Sequence, residues 1–339
     1  MGRSFHLKRG FALSKWHFLF LCLMNLSTPI NFPPVSKSIS YADHLVFLGS
    51  CFAENTGAWL NELHFDAAVN PTGISFNPIS MAGHIRSALR EEEVQEDALI
   101  FRNSQYVHLD FHSVFNDQQS ENYLFKVNEA RKKLRTDLLD CDTLFLTFGT
   151  AIAFHLLETG AVVNNCHKLD ASLFNQSFLD ETDMKAQMSE VLQLLQSRNP
   201  KIEIYLTVSP IRHLRHGAID NQRSKARLIR LCEMLCAQLP RCTYIPVFEY
   251  VLDELRDYRF YRHDDMIHLS ELGLNMVRDK IKSHYIHPLA YPMVERVEKW
   301  NRMKSHRLID ETSEEARIFK QKRDRISGEL YDDLKKIKR

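Results

Sequence analysis

The chain has 339 residues, 44% of them hydrophobic, enough to bury the core of one large domain or one domain with an appendage. Its 44 Lys+Arg against 43 Asp+Glu leave a formal charge of +1, which excludes a global field for nucleic acid or for an acidic membrane surface. Seven cysteines, an odd number without paired spacing, argue against a disulfide framework and for a reducing compartment.

Residues 1–29 read as an extension. Arg3, Lys8, Arg9 and Lys15 precede the apolar run from Trp16 to Met24, which imitates a signal peptide but is too short to span a bilayer. No small-x-small cleavage site follows, and Met24 looks like a natural start, so a cytoplasmic protein without stable membrane insertion is expected. An export signal is the alternative.

The domain proper is expected over 30–290. His44-Leu45-Val46-Phe47-Leu48, short and continuously apolar, predicts a buried parallel strand. At Gly49-Ser50-Cys51 the period changes, and a helix is expected from about Glu54 to His64. Such a turn sets small polar side chains at the carboxyl end of a strand beside the positive end of a helix dipole, so Ser50 and Cys51 are both nucleophile candidates. A short strand is read over Phe65–Val69, followed by an Asn70–Pro78 loop. The N–H groups around Gly73 either donate to an oxyanion or serve only the turn.

Next comes a helix over Ile79–Arg90. The aromatic, irregular stretch from Phe101 to Asn122 is expected to wall a substrate pocket. A helix over Glu121–Leu139 leads into a continuous apolar strand, Thr143–Phe148, closed by Gly149. A further strand, Ile202–Val208, ends at Ser209-Pro210. Arg212 and His213 then face the cleft, either to bind an anionic or polyhydroxylated substrate or to pair with Asp220. A helix over Asn221–Gln238, a strand over Thr243–Phe248 and a helix ending near Asp257 complete the alternation. Strands alternating with helices imply parallel pairing and a three-layer α/β/α sandwich, an α/β fold with a mostly parallel central sheet.

Ahead of the next helix, Asp265 stands three residues before His268, a spacing that lets one turn present an imidazole and its orienting carboxylate. Cys232 and Cys236 lie a helical turn apart without a second pair to complete a zinc site, and read as core thiols. No phosphate loop or dinucleotide fingerprint appears, so neither metal nor cofactor is expected. The charged residues 291–339 read as helices packed back to about residue 320 and frayed after Gly328, with homodimerisation through them an open alternative.

Gly49-Ser50-Cys51-Phe52-Ala53 resembles the name motif of the GSCFA domain, a bacterial family related to the SGNH (GDSL-type) hydrolases. Asn70-Pro71-Thr72-Gly73, Asn77-Pro78, Thr147-Phe148-Gly149-Thr150, Asn165-Cys166-His167-Lys168, Ser209 to His213, Ser224-Lys225-Ala226 and Arg256 to Tyr261 resemble it too. The resemblance implies a flavodoxin-like SGNH fold and ester hydrolysis, with an O-acylated carbohydrate or small ester as substrate. It also implies Cys51 or Ser50 as nucleophile, His268 as base and Asp265 as orienter.

Laid on the glycine-aspartate-serine of such hydrolases, Cys51 takes the serine place, and a thiol there is expected to ionise easily. Most SGNH relatives carry an oxyanion asparagine two residues after the glycine at 149; here that position is Ala151. The backbone near Cys51 and Gly73, with Gly149, Asn165 and His167, is then expected to hold the oxyanion or substrate. An O-acyltransferase and an inactive binding module are the rival readings.

Overall fold

The structure, a computed structural model, describes residues 28–305 and 313–337. The run from Trp16 to Met24 and the start at Met24 lie outside the described residues. In chain order the strands are β1 (His44–Gly49), β2 (Asp66–Val69), β3 (Ile100–Arg102), β4 (Gln105–Val107), β5 (Thr143–Phe148), β6 (Ile152–Leu156), β7 (Val162–Val163), β8 (Phe174–Phe178), β9 (Glu203–Val208) and β10 (Cys242–Tyr244). The longer helices are α1 (Cys51–Glu62), α2 (Pro78–Leu89), α3 (Ser120–Asp140), α4 (Glu181–Arg198), α5 (Gly217–Gln238), α6 (Glu271–Tyr285), α7 (Tyr291–Ser305) and α8 (Glu314–Ile337).

The central sheet runs β10–β9–β5–β1–β2, and every pairing in it is parallel. Counted within the sheet this is the 2-1-3-4-5 order of doubly wound folds, whose ligands bind at the carboxyl ends where the winding reverses. That switch lies between β1 and β5, where Gly49 stands opposite Thr147.

The apolar runs are continuous because both sheet faces are covered. Val46, Leu48, Leu144 and Leu146 pack against α2, α3, α4 and α5 through residues such as Ile85, Leu134, Leu192 and Leu231. Leu45, Phe47, Phe145 and Tyr205 point the other way, to α1, α6, α7 and α8. These are the three layers of an α/β/α sandwich. Caps mark the helix starts: Asn77 ahead of Pro78 for α2, Asp180 for α4 and Ser270 for α6.

Four expectations are corrected. The strand expected over 243–248 ends at Tyr244, because Pro246 has no N–H for the ladder and Val247 starts helical turns over 247–254. Residues 101–122 do not wall the large cavity described below. They form the β3–β4 hairpin and a turn whose Phe111 packs with Tyr123 and Val127 of α3. The wall is instead a small antiparallel sheet, β7–β6–β8, in a stretch where no strand was expected. The carboxyl-terminal helix does not stop at Gly328 but continues to Ile337, because Leu330 and Leu334 are buried against the domain. Cys232 is a core thiol, whereas Cys236 is half-buried with its Sγ 3.6 Å from that of Cys242.

Candidate active site

The site begins at the end of β1. Gly49 has φ +135°, and a Cβ there would lie 2.2 Å from the Thr147 carbonyl oxygen, so only glycine lets β1 and β5 approach at this point. Asn70 clamps the turn: its Oδ1 accepts the Gly49 N–H at 2.9 Å and its own N–H donates to the Phe47 carbonyl at 2.8 Å. Ser50 is fully buried and caps α1, its Oγ accepting from the Phe52 N–H at 3.3 Å. Cys51 is therefore the first residue of the helix, three positions earlier than expected, and it faces a cavity. Of the two nucleophile candidates only Cys51 lines this space.

The second part is the loop before α6. An isolated bridge between Tyr261 and Leu269 and a bond from the Arg262 N–H to the His268 carbonyl fold residues 258–270 into a tight turn. Inside it His268 Nδ1 lies 2.7 Å from Asp265 Oδ2, while Asp265 Oδ1 accepts the N–H groups of Ile267 at 2.7 Å and His268 at 2.9 Å. Those backbone donors, and then the imidazole, hold the Asp265 carboxyl well below the usual carboxylate range. An ionised carboxylate only accepts, so Nδ1 carries a proton, and in the neutral imidazole the lone pair then falls on Nε2. Neighbouring Asp264 pairs instead with Arg262.

Cys51, His268 and Ile211 line two cavities at once, one of about 760 Å³ and one of about 260 Å³. Phe76, Phe154 and Phe174 give the larger an apolar wall; Asn55, Arg262 and Glu271 edge the smaller. The Cys51 thiol is not easily ionised, contrary to expectation. Burial pushes it up, and Glu54 acts in the same sense, against the N–H groups of Cys51 and Phe52 and the Lys225 ammonium.

The expected oxyanion donors fare unequally. The Gly73 N–H donates to the Asn70 carbonyl at 2.8 Å, and Gly73 borders a separate void of about 10 Å³ beside Gly49 and does not line the large cavity. Its φ of +85° and the His112 Cβ, 2.5 Å from where its own Cβ would stand, explain the residue by geometry. The Gly149 N–H is likewise taken, by the Phe76 carbonyl at 2.8 Å. Asn165 and His167 do line the large cavity. Asn165 Oδ1 accepts the His167 N–H at 2.9 Å, and His167 Nε2 lies 2.9 Å from the His108 carbonyl oxygen and 3.0 Å from that of Phe111. The N–H of Cys51 has no partner within the helix it opens, as for any first-turn residue, and so is available to an oxyanion.

Arg212 and His213 also line the cavity, and neither pairs with Asp220, which binds Arg223. Arg212 donates to the Met266 carbonyl and lies 4.6 Å over the Tyr261 ring. The His213 N–H donates to Asn221 Oδ1 at 2.9 Å, and its buried Nε2 has no protein partner. Burial first, then the charges of Lys225, His268 and His216, push His213 down to about 4.

Lys225, quoted in a motif above without a role, is the residue that sequence reasoning missed. It is 1% exposed, and its Nζ donates to the carbonyls of Gly149 at 2.7 Å and Ser209 at 2.6 Å, tying the ends of β5 and β9 together. Burial pushes its ammonium down to about 7, opposed by the charge of Cys51. A signal was present: Lys225 falls on the stripe of Asn221, Leu228, Cys232 and Leu235, the buried face of α5.

These features define a class, a doubly wound α/β/α protein with a cysteine, a histidine and an aspartate at the carboxyl edge of its sheet, at the winding switch. Within that class the chain belongs to the GSCFA family, which matches residues 44–281, from the first residue of β1 into α6. No curated protein matches the chain.

Proposed function

We propose that the protein is an SGNH-like hydrolase of carboxylic esters, acting on an acyl ester or an O-acetylated carbohydrate. The observation that carries this reading is the joint lining of both cavities by Cys51 and His268, with His268 Nδ1 bound to Asp265. Because burial disfavours the thiolate, the cysteine works as a serine would: His268 Nε2 takes the Sγ proton as sulfur attacks the ester carbonyl. The tetrahedral oxyanion is met by the Cys51 N–H at the helix start. Collapse expels the alkoxide, which leaves as the alcohol with the proton from His268, and a thioester remains on Cys51. Water then attacks with His268 as base, releasing the acid and restoring the thiol.

The smaller cavity beside Cys51 and His268 supports a second reading, in which an acceptor hydroxyl replaces water and the product is a new ester. Assay with p-nitrophenyl acetate and acetylated xylan, with and without sugar acceptors, separates the two. Hydrolysis lost in Cys51→Ala and in His268→Ala is expected, and transfer to the sugar would favour the second reading. Undiminished turnover in either variant would remove the proposal.

A further inference from the structure

The larger cavity is one-sided in charge. Its lining includes Lys168, Arg212 and Arg215 and not one aspartate or glutamate, in a chain whose charges otherwise balance. We propose that the ester this site accepts is an amphipathic oxyanion, its apolar body on Phe154 and Phe174 and its carboxylate or phosphate held by these three cations. This rests on reading the site as an ester hydrolase.

Three observations carry it. First, the cations are not neutralised from within. Lys168 and Arg215 make no ion pair among the described residues, and Arg215 lies 6.0 Å over the Phe154 ring. Of the nearby carboxylates, Asp265 has both oxygens occupied and Asp170 Oδ1 accepts from Ser172, and both are absent from the lining. Like charges gathered in a concave, partly apolar space repel one another, and an anion relieves that cost.

Second, Arg212 is held in place without being used up. Its stacking on Tyr261 and its bond to the Met266 carbonyl fix the guanidinium, yet its buried Nε has no protein partner. A planar guanidinium so held matches the paired oxygens of a carboxylate or phosphate. Third, the neighbouring unpartnered atom, His213 Nε2, lies 3.4 Å from where a Cβ on Gly149 would stand, beside the strand-end turn of β5. An uncharged imidazole can donate there to an anion.

The test compares kcat/KM for 4-acetoxybenzoate and 4-acetoxyphenyl phosphate with that for neutral 4-acetoxybenzamide, at low and high salt. At least one anion should exceed the amide by about tenfold or more at low salt, the span of a single charge-assisted bond. Whichever anion leads names the source of the charge. In the double variant K168Q/R215Q, at two exposed positions, the anion-to-amide ratio should fall toward one. Equal rates for anions and amide, or a ratio the double variant leaves unchanged, would overturn the proposal. Should no ester turn over, calorimetry of 4-hydroxybenzoate, 4-hydroxyphenyl phosphate and 4-hydroxybenzamide on Cys51→Ala decides it. Tighter binding of an anion upholds anion recognition while the hydrolase reading falls, and no preference overturns it.

Discussion

His268 Nδ1 and Asp265 Oδ2 stand 2.7 Å apart within one turn, and the same carboxylate is pinned by the N–H groups of Ile267 and His268. Rotating Asp265 away would break three bonds. In Asp265→Asn the amide would donate to Nδ1 and drive the imidazole proton to Nε2, where a base is needed. Turnover should fall by about 10⁴-fold with the fold retained, and His268→Ala should abolish it. Asp264→Asn, which loses only the pairing with Arg262, is the control and should stay near the parent rate. Equal damage in the two Asp→Asn variants would sink the assignment of Asp265.

Cys51 and Ser50 divide their duties by burial. Cys51→Ala should be inactive, and iodoacetamide should inactivate the parent with protection by substrate. Because burial raises the thiol, alkylation should accelerate as the pH climbs past the usual thiol range. Ser50→Ala loses a helix cap, worth about 1 kcal/mol in a denaturant melt, and should keep substantial activity. Activity in Cys51→Ala with none in Ser50→Ala would reverse the roles.

Gly49 admits no side chain. With a Cβ 2.2 Å from the Thr147 carbonyl oxygen and a φ of +135°, Gly49→Ala must part β1 from β5, and about 3 kcal/mol or more should be lost, or soluble protein should fail to form. A variant melting within about 1 kcal/mol of the parent would show that the strands can yield there.

Lys225 makes stability depend on pH with a definite sign. Its ammonium is depressed from 10.5 to about 7 by burial, so between these values the unfolded chain holds a proton that the folded chain has released. Raising the pH removes that proton from the unfolded chain, and folding becomes more favourable, by up to about 1.4 kcal/mol per pH unit. The stability difference between parent and Lys225→Met, followed by denaturant melts, should therefore shift in the parent's favour as pH rises above 7. It should be flat below. A difference that stays flat above pH 7 would mean that the ammonium keeps its charge when folded.

Three of the strands were legible because their physics is local. His44–Leu48, Thr143–Phe148 and Glu203–Val208 are short, largely apolar runs, as strands covered on both faces are, and the pairing of Asp265 with His268 spans one turn. Capping at Ser50, within the motif from Gly49 to Ala53, likewise acts over a few residues, whereas the steric need at Gly49 comes from Thr147 across the sheet. The β7–β6–β8 wall was not legible. Strands such as Phe174-Asn175-Gln176-Ser177-Phe178 are short, half-exposed and polar between their phenylalanines, and β-propensity is settled by what packs on them.

Tertiary structure alone decided which donors remain free. Gly149 looks open to an oxyanion in sequence, yet its N–H goes to the carbonyl of Phe76, far off in the chain. It also set Lys225 beneath the site, because the carbonyls of Gly149 and Ser209 meet its ammonium only when β5, β9 and α5 converge. Hydrogen-bond partners and burial depend on the whole packed chain, so residue type and spacing name the candidates, and only the assembled layers leave Cys51 and His268 facing the same space.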